Sequence, residues 1–178
     1  MENKVFFSYC LYPEIKFETY EPGEKIILLL RAHPFTQLSW ILYSVFSLIL
    51  IFVVNIIISS FFAISQLFLL NCFMAVFLLS FIWFNLLNWY FNVGIVTNRR
   101  VIDIDFYAVL YREITVARLD KIQDITVKSG GYFEAFFNYG TIFIQTAGTE
   151  ANIEFADIPR PAEVVQMIEK LLTKRHGT

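Results

Sequence analysis

The side chains able to do acid, base, nucleophilic or metal chemistry are few in this chain and poorly spaced for it. His33 stands beside Pro34 ahead of a long apolar run, and His176 lies in the terminal tail, so the histidines do not form the short-range pair a zinc site uses. Cys10 and Cys72 are isolated from one another, and the sequence has no CxxC, GxSxG, HExxH or phosphate-binding GxxxxGK(S/T) unit. Asp103 and Asp105 are close enough to act as an acid and base, yet they alternate with Ile102, Ile104 and Phe106. That period of two reads as the solvated face of a strand rather than a catalytic dyad. The expectation is a non-enzyme that needs neither metal nor cofactor.

Side chains suited to contact are better represented. Arg99 and Arg100 form a cation pair just beyond the apolar run, and about 1 kcal/mol per Lys or Arg is available close to an anionic leaflet. They read either as membrane-headgroup contacts or as a solvated turn. The aromatic cluster Tyr132, Phe133, Phe136, Phe137 and Tyr139 follows Gly130-Gly131. It is either a loop that dips into an interface or meets a partner, or the large side chains from which a small domain builds its core. Nucleic acid is not an expected partner: a single-strand binder interleaves basic residues with stacking aromatics, and the chain has 14 Lys and Arg against 16 Asp and Glu.

The element that must position these residues is a stretch from Ala32 to Asn98 without a single Asp, Glu, Lys or Arg. A bilayer excludes charge at roughly 2.5 to 3.5 kcal/mol per central Arg, Lys or Asp, whereas a soluble fold of this size would interrupt such a stretch with charged surface. About 20 helical residues cross a hydrocarbon core of roughly 30 Å, so the run divides into two spans. One is expected over about Leu38 to Phe61 and the other over about Leu67 to Phe91, separated by a polar dip at Ser59, Ser60, Ser65 and Gln66. The run begins too far from the N-terminus, behind an acidic and aromatic segment, to be a cleavable signal peptide.

Cations at the helix ends resist translocation. Lys25 and Arg31 precede the first span, Arg99 and Arg100 follow the second, and the tip has none, so both termini are expected in the cytoplasm. Trp40, Trp89 and Tyr90 would then share one interfacial belt. Within the spans Asn55 and Asn71 lie at matched depth near the tip, and Ser44 and Asn85 at matched depth near the base. Hydrogen bonds between the helices are the simple reading, each contributing on the order of 0.6 kcal/mol and at most about 1.7. A conduit would use buried Asp, Glu, Lys, Arg or His, and neither span holds one.

Three parts follow: a cytoplasmic segment over 1–34 with one short strand at Lys25 to Leu30, a hairpin over 35–91, and a small domain over 92–178. Asn92 to Thr97 and Arg100 to Phe106 flank Thr97-Asn98-Arg99, where Asn tolerates the left-handed conformation of a tight turn. The alternation recurs at Ile114 and Val116, at Ile142 and Ile144, and at Ile153 and Phe155, which predicts a sandwich or barrel. After Pro161, the residues Val164, Val165, Ile168, Leu171 and Leu172 recur at helical spacing and predict a helix that plugs the sheet.

Gly23-Glu24-Lys25, Arg31-Ala32-His33-Pro34, two spans and then Val96-Thr97-Asn98-Arg99-Arg100-Val101-Ile102 together resemble the bacterial pleckstrin-homology-like membrane proteins, the YdbS/YdbT-like set once grouped as a domain of unknown function. Leu119-Asp120-Lys121-Ile122-Gln123-Asp124-Ile125, Tyr139-Gly140-Thr141-Ile142 and Thr146-Ala147-Gly148 fit the same family. The resemblance implies a transmembrane hairpin followed by a mainly-β pleckstrin-homology-like barrel with a C-terminal helical cap, in a bacterial cytoplasmic membrane. It brings no reaction with it. Residues 92–178 hold ten Lys and Arg against eleven Asp and Glu, a poor composition for a polybasic lipid trap. The expected function is therefore a scaffold for protein partners or for copies of itself, since a lone hairpin buries little surface. Lipid-headgroup sensing or lipid handling is the alternative.

Overall fold

The computed structural model describes residues 8–13, 22–107, 111–147 and 152–176. Glu2, Lys4, Glu14, Lys16, Glu18 and Glu21 of the N-terminal segment, together with Gly148, lie outside the described residues. Two helices form the long apolar run: α1 over Leu38–Ile58 and α2 over Ile64–Phe91. At about 1.5 Å per residue they extend roughly 32 and 42 Å, each long enough for a hydrocarbon core. Both are long and apolar enough to cross a membrane. Only Ser44 and Leu78 are buried along them, so nearly all of their apolar surface is left uncovered by the rest of the protein.

Among the described residues, eight strands make two antiparallel sheets. The first takes β1 (Tyr9–Leu11), β2 (Ile26–Leu30), β3 (Val93–Thr97), β4 (Arg100–Tyr107) and β5 (Tyr111–Arg118) in that order. The second takes β6 (Ile122–Lys128), β7 (Tyr139–Thr146) and β8 (Ile153–Pro159). The expected barrel is corrected here, because among the described residues no ladder joins the two sheets. After Arg118 the chain leaves β5 through a 3-10 turn at Leu119–Lys121 and starts a new sheet. The segment before the hairpin is more deeply built in than a docked strand: β2 lies between β1 and β3, and all five of its residues are buried. An unbroken Ile-Ile-Leu-Leu-Leu run is the signature of a strand covered on both faces.

The main core lies between the sheets. Leu28, Leu30, Val96 and Val101 from the first meet Ile142, Ile144, Ile153 and Phe155 from the second. The helix α4 (Pro161–His176) packs Val164 and Ile168 into the same cluster, the helical face read from the sequence. Gly94 permits the closest approach: a Cβ there would stand 2.5 Å from the Phe155 ring. A second cluster of Ile26, Ile95 and Ile102 covers the opposite side of the first sheet. The β4 alternation therefore puts Ile102 on that outer side, while Val101 and Asp103 share the inner one. The Asp103 position is 9% exposed, not solvated. The turn between β3 and β4 also forms for a different reason than expected, since Asn98 is not left-handed. Thr97 Oγ1 instead accepts the N–H groups of Arg99 and Arg100 at 3.1 and 3.0 Å.

Candidate functional site

The residues positioned to act converge where the hairpin meets the sheets. α2 passes through Asn92 straight into β3, and the Asn92 Oδ1 accepts the Phe106 N–H at 2.7 Å. From the other side, Arg31 donates Nε–H to the Tyr90 carbonyl at 3.0 Å while its guanidinium lies 4.6 Å from the centre of the Tyr90 ring. The Trp89 indole donates to the Ala32 carbonyl at 2.9 Å, and the Ser8 hydroxyl donates to the same oxygen at 3.1 Å. Burial lowers the pKa of Arg31 from its usual value. Trp40, Trp89 and Tyr90 thus collect at one end of the hairpin, half-buried, with Trp40 bound through its N–H to Gln37.

Further along the helices, Asn55 and Asn71 exchange two amide hydrogen bonds of 2.8 Å. The Ser44 and Asn85 pair does not form. Ser44 donates to the Trp40 carbonyl and Asn85 to the Phe81 carbonyl, each one turn back on its own helix. A short hydroxyl finds its own i−4 carbonyl without needing to span a helix interface.

Arg100 is also placed otherwise than expected. It makes a bidentate pair with Glu24, whose side chain is fully buried, through Nε and Nη2 at 2.9 Å. Arg99 and Arg100 sit at the end of β3 remote from the hairpin, about 16 Å along the strand at roughly 3.3 Å per residue. Extended strand thus separates both residues from the hairpin base, and Arg100 is engaged within the fold by Glu24. Glu24 is legible in the sequence as part of the Gly23-Glu24-Lys25 phrase ahead of an apolar strand, which does not identify its partner.

The aromatic cluster divides between core and surface. Tyr139 is buried, whereas Tyr132, Phe133 and Phe136 are 96%, 65% and 82% exposed and Phe137 is partly covered. The segment is a one-and-a-half-turn helix, α3 (Tyr132–Phe137), rather than a loop. Gly131 opens it at φ 155°, and Asn138 ends it in the left-handed region at φ 52°. Its partner across space is Phe35, in the 3-10 turn Pro34–Gln37 that leads into α1. Phe35 stacks on Phe137 at 4.1 Å and meets Phe133 at 5.5 Å, while His33 stacks on Tyr139 at 5.2 Å. His33 caps the same turn by accepting the Phe35 N–H, and burial lowers its pKa.

A cavity of about 420 Å³ opens between the sheets beside the hairpin base. Asp103, Asp105, Glu113 and Glu154 line it together with Arg31 and Asn92. Burial, reinforced by Asp105, pushes the Asp103 carboxyl up to about 8. Asp105 is raised by burial and by Glu113 and Glu154. Among the described residues no group of three or more His, Cys, Asp or Glu is placed to hold a metal ion.

A solved DUF1696 family protein with a pleckstrin-homology domain, from Shewanella loihica PV-4, is similar at 18% identity over 47% of this chain and 68% of its own, with a TM-score of 0.34. No curated protein matches the sequence. The family model described as "Bacterial PH domain" matches residues 35–172, spanning the helical hairpin, strands β3 to β8 and most of α4, and the chain belongs to that family.

Proposed function

We propose that this protein is a non-enzymatic interaction module, held in a bacterial cytoplasmic membrane by the hairpin α1–α2 and presenting its PH-like domain in the cytoplasm to protein partners or to copies of itself. A PH-like domain supports a protein- or lipid-interaction role in general. The observation that carries the finer reading is the rigid junction at the hairpin base. Arg31, Ala32, Trp89 and Tyr90 lock the two chain crossings together, and α2 enters β3 without a flexible link. A domain fixed this way cannot search the cytoplasm on a tether; it offers a constant face at a constant orientation. The uncovered apolar surface of both helices supports bilayer residence, since soluble proteins rarely expose patches beyond a few hundred Å². The cations Lys25, Arg31, Arg99 and Arg100 on one side of a chargeless tip support cytoplasmic termini.

The engagement of Arg100 by Glu24 within the fold supports the protein-partner reading over headgroup recognition by that residue. Extraction of the full chain in mild detergent, followed by crosslinking and mass analysis, tests it. A defined protein partner or a discrete oligomer is expected; recovery of lipid alone contradicts the proposal.

A further inference from the structure

We propose that α3 is a third contact with the bilayer, its exposed aromatics Tyr132, Phe133 and Phe136 entering the interface at the base of the hairpin. This rests on the reading that α1 and α2 span the membrane. The helix is held at that level by the 3-10 turn preceding α1: Phe35 stacks on Phe137 at 4.1 Å and touches Phe133 at 5.5 Å. Trp40 follows within α1, and Trp89 and Tyr90 stand on the adjacent end of α2. The exposed rings therefore continue the aromatic surface that the hairpin base already presents.

The chemistry of α3 fits a lipid interface. Five of its six residues are apolar or aromatic, and Glu134, its single charge, accepts the Gly130 N–H. Rings exposed at 96%, 65% and 82% bury little of their surface within the fold. Aromatic side chains concentrate at the boundary between headgroups and acyl chains, where an apolar ring and a polar tip such as that of Tyr132 are both satisfied. With two spans and one peripheral foot, three points define a plane and set the tilt of the PH-like domain. The sheets then face the cytoplasm at one angle, as a platform requires.

The full chain, with Cys10→Ala and Cys72→Ser, is reconstituted into phosphatidylcholine and phosphatidylglycerol vesicles. An environment-sensitive fluorophore is attached in turn at Phe136→Cys, at Glu169→Cys on the exposed side of α4, and at Phe68→Cys on α2. Nitroxide placed near the top of the lipid acyl chain should quench the label at position 136 several-fold more than the label at 169. Aqueous iodide should show the reverse order. Equal iodide access at 136 and 169, with position 68 still quenched by lipid, overturns the α3 contact and leaves the hairpin reading intact. A label at 136 shielded from both quenchers also overturns it, because another protein surface then covers α3. Failure of lipid quenching at position 68 overturns the hairpin reading itself.

Discussion

Glu24 and Arg100, far apart in sequence, close on each other through two hydrogen bonds of 2.9 Å, with the Glu24 side chain wholly buried. Thr97 adds its hydroxyl, donated to Glu24 Oε1 at 2.8 Å. The contact joins the segment before the hairpin to the first turn after it, so the two chain segments flanking the hairpin are tied at the far end of the sheet as well as at the base.

Removing one member leaves the other charge buried without its partner, which costs about 3 to 5 kcal/mol in comparable pairs. Glu24→Gln or Arg100→Met should therefore lower the thermal midpoint of the detergent-solubilised protein sharply. Glu24→Leu with Arg100→Met should recover much of the loss. A double variant as unstable as the sum of the singles contradicts this pairing.

Gly94 should not tolerate a side chain. A methyl group there meets the Phe155 ring at 2.5 Å, and both sheets are already packed on that contact. Overpacking of this kind costs about 1 to 3 kcal/mol. Gly94→Ala is expected to lower the melting temperature, and Phe155→Leu in the same chain to restore part of it. An Ala variant that melts with the parent contradicts the packing described.

The carboxyl of Asp103 gives stability a direction with pH. Folding raises its pKa to about 8, chiefly by burial and then by Asp105. The folded protein keeps a proton that the unfolded chain has already released. Stability is thus greatest in acid and falls as pH rises from about 4 to about 8, with a limiting slope near 1.4 kcal/mol per pH unit for one proton. Asp105, Glu113 and Glu154 share the cavity, and Asp105 shifts the same way. Melting curves between pH 5 and pH 8 should show the decline, and Asp103→Asn should flatten it. An unchanged slope in that variant places the titration elsewhere.

Asn55 and Asn71 should behave as one unit. Their reciprocal amides are worth about 0.6 kcal/mol, and at most about 1.7, if they behave as hydrogen bonds between membrane-spanning helices do. Asn55→Leu and Asn71→Leu should each destabilise the hairpin modestly, and the double variant should add little to the larger single effect. Ion flux through proteoliposomes should stay at background for all three. A flux that exists and disappears on substitution contradicts a purely structural role.

Much of this architecture is legible in the sequence wherever one physical signal dominates. Absence of charge marks the hairpin, period two marks β4, β5, β7 and β8, and the spacing of Val164, Ile168 and Leu171 marks α4. Legibility fails where a pattern has two solutions of equal local merit. The β4 alternation cannot say which side faces the core, because Ile102 packs in a second apolar cluster while Val101 and Asp103 face inward. Charge counting near the spans cannot foresee that Arg100 is used internally, since Glu24 reaches it only once β2 and β3 pair. Ser44 and Asn85 match in depth, yet backbone carbonyls one turn away are nearer to each. The exposed part of the aromatic cluster and its seat against Phe35 depend on a contact between distant segments that no local period encodes.

The sidedness of the hairpin is the most direct test of the central claim. Single cysteines at Ser60→Cys in the tip and Glu169→Cys on α4, in a chain with Cys10→Ala and Cys72→Ser, are exposed in intact cells to a membrane-impermeant thiol reagent. The tip should react from outside, and position 169 should react only after the cytoplasmic membrane is permeabilised. Reaction of both positions under the same condition would contradict a hairpin that crosses the membrane and holds the PH-like domain on its cytoplasmic side.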